Sequence, residues 1–332
     1  MTRRVLLMVV LGAALDETVV SQISRWMTFE ANVEFSGRAR NGAEWNFWRA
    51  TIVDADGKVR YVLEKRVPFD VPPPSIAVTD EGGGSVVIQS FEGVLEFYDG
   101  AGRLLREWHP FRSPRPDYER TIQCSVAGGK AAFLIAEPGE QHARVVVCGS
   151  GGGHLWERSM PLAAGAGIVL ADSGNLVLAC AYAVAEKMQA ASLFFDAAGD
   201  EVQQVAEFFT RADISPDGKR FVMVNRRRVT AGGVGDSSRV RSWQLQDTTR
   251  VISSVCYTAG GIALVAERYE VGDAGVRFRE PVVMEYSVDG ILQGQTQFPG
   301  SSPHPTVLHR TGRGLLLSRE DNRVTQEFPL SK

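Results

Sequence analysis

Five histidines are the first residues to test for chemistry: His109, His142, His154, His304 and His309. None lies in an HExxH pair, which would set two imidazoles on one helix face for zinc. His304 and His309 stand five apart in a proline-containing segment, a poor spacing for a shared metal. Asp54, Asp56 and Gly57 begin like a calcium loop, but the continuing acidic positions and the distal Glu are missing. The glycine-rich run Cys148–Gly153 lacks the Gly-Lys-Ser/Thr ending of a phosphate-binding loop. Ser150 is not a nucleophile elbow, because Cys148 stands where the first glycine would be. Cys124, Cys148, Cys180 and Cys256 form no CxxC pair and each lies in or beside an apolar run. They read as small buried hydrophobes, with a disulfide open to the chain if it is exported. No nucleophile–base set, no metal site and no cofactor emerges from these residues.

A chain of 332 residues, 44% hydrophobic, has ample length for a large core, and a net charge of −3 gives no reason to expect nucleic acid as a partner. No stretch reaches the roughly 18–20 apolar residues of a membrane helix. Residues 1–15 place two arginines before the eleven-residue apolar run Val5–Leu15, with the small residues Gly12, Ala13 and Ala14 at its end. This has the form of a secretory signal peptide, the alternative being a buried apolar segment. An exported or periplasmic chain with N-terminal membrane association follows from the first reading, a cytoplasmic one from the second. In residues 16–28, Val19, Val20, Ile23, Trp26 and Met27 share a face at 3.6-residue spacing behind Asp16, predicting a short amphipathic helix.

The elements that would position any site follow from a repeat. Glycines 84, 129, 174, 218, 261 and 314 each precede an apolar run, at spacings of 45, 45, 44, 43 and 53 residues. A second series of turns, at Gly57, Gly102, Gly153, Gly199, Thr249 and Gly290, interleaves with it. Two hairpins per unit make four antiparallel strands, which is a propeller blade. The first hairpin of each unit is the more apolar and suits inner strands buried on both faces, whereas the second alternates and suits outer strands. The fold class is therefore all-β: a single β-propeller over 29–332, of four-stranded blades. Six turn pairs predict six blades, with seven as the alternative, and N- and C-terminal strands joining in one blade would close the ring.

The stretch ISPDGKRFVMV, Ile214–Val224, resembles the repeat of TolB-like and related WD40-like propellers. YDGAGRLLREW, Tyr98–Trp108, resembles the outer hairpin of NHL-type or quinoprotein-type repeats. The chain lacks the GH…WD signature and a regular tryptophan in every unit. The resemblance implies a ligand- or protein-binding module, with metal-dependent lactonases as the enzymatic minority; fold does not dictate function.

Long polar connections are the place to look for a site. Asn225–Arg239 and Glu267–Glu280 read as loops on the face of the blade-to-blade connections. Glu137, Arg226, Glu267, Arg268, Tyr269, Arg319 and Glu320 are the candidate partner-binding residues, with Tyr118 and Phe278 adding the aromatics enriched at binding hot spots. The function expected is a non-enzymatic scaffold that binds a protein in a bacterial envelope or multi-subunit complex. The alternative is a lactonase-type hydrolase drawing on Glu137, Glu267 and Glu320 at the channel mouth.

Overall fold

A computed structural model describes residues 29–36, 45–54, 58–68, 71–79, 82–112, 117, 120–137, 139–161, 164–184, 188–258, 260–272, 275–302, 305–310, 314–319 and 326–329. The segments 1–15 and 16–28, Tyr118 and Glu320 lie outside the described residues, as do the expectations attached to them. Among the described residues there is no helix, and the strands form seven antiparallel sheets in chain order.

The first sheet holds β1 (Phe29–Ser36), β2 (Trp45–Asp54) and β3 (Val59–Pro68). The second holds β4 (Ser75–Val78), β5 (Ser85–Gln89), β6 (Val94–Tyr98) and β7 (Leu104–Trp108). The third holds β8 (Thr121–Ala127), β9 (Lys130–Ala136), β10 (Arg144–Gly149) and β11 (His154–Ser159). The fourth holds β12 (Ala164–Leu170), β13 (Val177–Val184), β14 (Met188–Phe195) and β15 (Glu201–Val205). The fifth holds β16 (Arg211–Ile214), β17 (Arg220–Asn225), β18 (Arg228–Gly233) and β19 (Asp236–Gln244). The sixth holds β20 (Arg250–Tyr257), β21 (Ile262–Gly272), β22 (Gly275–Tyr286) and β23 (Leu292–Gln297), with the short β24 (Ser301–Ser302) against β22. The seventh holds β25 (Thr306–Arg310), β26 (Gly314–Arg319) and β27 (Gln326–Pro329). The N-terminal and C-terminal strands thus fall in two separate three-stranded sheets.

The alternation of side chains along each strand explains why the middle strands are apolar throughout. Phe221 and Met223 of β17 pack with Leu178 and Phe194 of the fourth sheet. Their neighbours Val222 and Val224 pack with Val255 and Leu264 of the sixth. A sheet covered on both faces needs apolar residues at both parities. Six apolar clusters recur this way among the described residues, one between each pair of successive sheets. Trp48, Phe97, Phe133 and Phe221 are wholly buried, each contributing about 1.5–3 kcal/mol of burial free energy.

Two sequence expectations change here. Asp247–Arg250 is not an outer hairpin but the connection from β19 to β20, closed by Asp247 Oδ1 accepting from Thr249 N at 2.9 Å. The outer hairpin of the fifth sheet turns instead at Gly235, with φ of +75° and Gly233 facing Asp236. The two long "loops" are also mostly strand: Asn225–Arg239 contains β18, and Glu267–Glu280 contains the meeting ends of β21 and β22.

Candidate interaction surface

β21 and β22 are longer than the strands around them, and their ends form a hairpin. Ile262–Ala266 is a buried apolar run; after Ala266 the sequence turns to Glu267-Arg268-Tyr269-Glu270-Val271. The pairing register shifts between Ala266 and Arg268, a bulge that separates the buried part from the exposed part. Opposite it, Glu280 takes φ of +49°, a conformation costly for a residue with a Cβ.

Arg250 holds this bulge in place. Its side chain is only 7% exposed. Its Nε donates to Asp247 Oδ2 at 3.1 Å and its Nη1 to the Ala266 carbonyl at 3.3 Å. Nη1 also donates to the Glu280 carbonyl, and Nη2 lies 3.6 Å from Glu280 Oε2. Arg268 completes the cluster at 3.2 Å from Glu280. Asp247 is held below the usual carboxylate range, first by the Thr249 hydroxyl and then by the Thr249 and Arg250 groups around it. The neighbouring Glu267 points inward: wholly buried, it accepts from Thr306 N at 2.9 Å and from Thr306 Oγ1 at 2.5 Å. That carboxylate ties the sixth sheet to the seventh.

Beyond the bulge the two faces of the hairpin differ. Tyr269 faces Phe278 and Val271 faces Val276, so these four apolar side chains share one face. Arg268 faces Arg279 and Glu270 faces Arg277 on the other, with Glu270 and Arg279 paired at 3.0 Å. The apolar face is open to water: Tyr269 is 51% exposed, Val271 75% and Val276 37%.

Of the sequence candidates, Glu267, Arg268 and Tyr269 lie at or beside this bulge. Arg226, exposed in the β17–β18 turn with φ of +55°, offers its carbonyl to Ile252 N at 2.8 Å, and Ile252 pairs with Ala266 at the hairpin base. Arg319 ends β26 opposite Thr306, the residue Glu267 holds. Glu137 is elsewhere, just past β9 of the third sheet, where it accepts from Arg112 N at 3.1 Å and lies 3.9 Å from the buried Arg120. Val271 and Val276 were not singled out from sequence, although the alternation Tyr269, Val271 and Val276, Phe278 carries the signal.

Other reactive groups do not assemble. Among the described residues, no group of three His, Cys, Asp or Glu side chains is placed to hold a metal ion. All four cysteines are free thiols. Burial pushes Cys148 up to about 11 and raises Cys124 and Cys180 as well, so these thiols stay protonated near neutrality.

No family model matches the chain, and no curated protein sequence matches it. Solved structures do. A chain of the mitotic checkpoint complex aligns with a TM-score of 0.57 at 11% identity, covering 92% of this chain and 85% of that one. The Myceliophteria thermophila Cps50 (Swd1) β-propeller domain aligns at 0.52 and 13%, covering 86% and 92%. The Dos1 propeller aligns at 0.55 and 10%, covering 91% and 82%. The fold is a β-propeller. At these identities the likeness establishes the architecture alone, so any function rests on the surface just described.

Proposed function

We propose that the seven sheets are seven blades of one ring and that the protein is a non-enzymatic scaffold docking a protein partner through the β21–β22 hairpin. The observation that carries this reading is the hairpin's apolar face, exposed at Tyr269, Val271 and Val276 and half-exposed at Phe278, on a base that the buried Arg250 fixes with the half-exposed Glu280. Aromatic and aliphatic anchors on a rigid support, with arginines on the opposite face of the same hairpin, have the composition of a binding hot spot. One of the similar solved chains comes from a complex, which accords with such a role. The apolar run Val5–Leu15 behind Arg3 and Arg4 supports an exported chain working in the cell envelope.

The test is co-purification of full-length protein from its native source, comparing wild type with a Tyr269→Ser, Val271→Ser double variant. The account expects a stoichiometric companion to be lost from the double variant while its melting temperature holds. A companion retained at the wild-type ratio would remove the hairpin from the interface.

A further inference from the structure

A second feature lies well away from that hairpin, where the turns of the fifth and sixth sheets meet. A cleft of about 540 Å³ opens there, between the start of β17, the β18–β19 hairpin and the β22–β23 turn. Four cations line it, Lys219, Arg220, Arg239 and Arg241, against two carboxylates, Asp236 and Asp289. Both carboxylates are engaged: Asp236 with Arg239 at 3.0 Å and Asp289 with Arg241 at 3.2 Å. Asp236 also accepts from the Ser238 backbone and hydroxyl. Two further acids, Asp217 beside Lys219 in the chain and Asp213 beside Tyr257, are turned to local donors. Asp217 accepts from Ser215 Oγ and Lys219 N, and the buried Asp213 accepts from Ile214 N and Tyr257 N. Asp217 lies close enough to feel the charge of Lys219 and Arg220, yet these two lining cations make no direct ion pair among the described residues.

The walls are as informative as the charges. Gly232 and Gly233 are part of the lining, so two of its positions present backbone alone. Val234, Val288 and the Tyr257 ring supply apolar wall. The Tyr257 hydroxyl already donates to the Phe221 carbonyl at 2.9 Å, which turns ring rather than hydroxyl to the cleft. We infer that this cleft binds a small organic phosphate monoester. Two cations without a direct ion pair match a dianion, the guanidinium forks of Arg239 and Arg241 keep donors to spare, and a volume of this size holds an organic body beside the phosphate.

Titration calorimetry of the full chain with phenyl phosphate tests this, with inorganic phosphate and phenol as comparisons. Saturable binding of phenyl phosphate is expected, tighter than inorganic phosphate and with none for phenol. Lys219→Gln and Arg220→Gln should each weaken it on the order of tenfold. Should Arg220→Gln melt early, Arg241→Gln serves as the second variant beside Lys219→Gln. No saturable heat with the wild type, or an affinity unchanged in well-folded variants, would overturn the assignment.

Discussion

Asp213, wholly buried in β16, accepts the backbone N–H of Tyr257 in β20 at 2.7 Å and so joins the inner strands of the fifth and sixth sheets. The same device recurs around the molecule. Ser125 Oγ of β8 accepts from Leu170 N of β12, and Ser254 Oγ of β20 from Leu308 N of β25, each at 2.9 Å. Edge-facing amides that the sheets cannot pair internally are thus satisfied by the next sheet. Asp213→Ala leaves two buried N–H groups without their acceptor and is expected to cost about 2–4 kcal/mol of unfolding free energy. Asp213→Asn keeps one acceptor oxygen and should cost less. Urea titration followed by tryptophan fluorescence measures both, and a wild-type midpoint for the alanine variant would contradict the role given to this carboxylate.

Gly199 and Gly218 separate two reasons for a turn glycine. Gly199 has φ of +82°, and a Cβ there would lie 2.7 Å from Trp156 Cδ2 of the preceding sheet. Gly218 has φ of +69° but faces open space. Gly218→Ala should cost only the conformational penalty, about 1 kcal/mol. Gly199→Ala adds displacement of a buried indole and should cost roughly 2–4 kcal/mol. Thermal melts of the two variants should rank them in that order.

Acid should loosen the turns first. Asp217 is held below the usual carboxylate range by the Ser215 hydroxyl and then the Lys219 amide, and Asp99 by Arg103. As pH falls the unfolded chain takes up these protons before the native one does. Their contribution is therefore complete above about pH 4, the ordinary carboxylate value, and fades as pH drops through the lower native values. The melting temperature should hold through mildly acidic buffer and decline below that point. Asp217→Asn should show a lower plateau and a shallower decline; an identical profile would exclude Asp217 as a contributor.

The cysteines should be silent in the native protein. Cys148, Cys180 and Cys256 are buried, Cys124 is half-buried, and burial disfavours the thiolate at the three whose shifts are given above. A chromogenic disulfide reagent near neutral pH should react slowly with folded protein and release four equivalents in denaturant. Fast labelling of the native chain would place a thiol in a more open setting.

The repeat was legible because glycine turns and two-faced apolar strands leave a regular mark on sequence. All five of the inner turns that can be seen fall where Gly84, Gly129, Gly174, Gly218 and Gly261 predict. The sheet arrangement was less so. Thr249 imitates a hairpin turn because Asp247 caps it as an Asp caps an outer turn, while the real turn at Gly235 sits inside a polar run that reads as loop. The hairpin was half legible: Glu267, Arg268 and Tyr269 stood out by charge and ring. Two facts needed the pairing register, that Glu267 is buried under Thr306 and that Val271 and Val276 join Tyr269 on one face. The basic cleft left no sequence trace, since Lys219, Arg239 and Asp289 come from three separate stretches of the chain and meet only in the fold.

A photo-crosslinking side chain placed at Val271, with Val202 on β15 as an exposed control, shows whether the β21–β22 hairpin meets a partner. In cells of the native source the account predicts one adduct of defined mass from position 271 and none from 202. No adduct from 271, or the same adducts from both positions, would contradict the hairpin as the docking element.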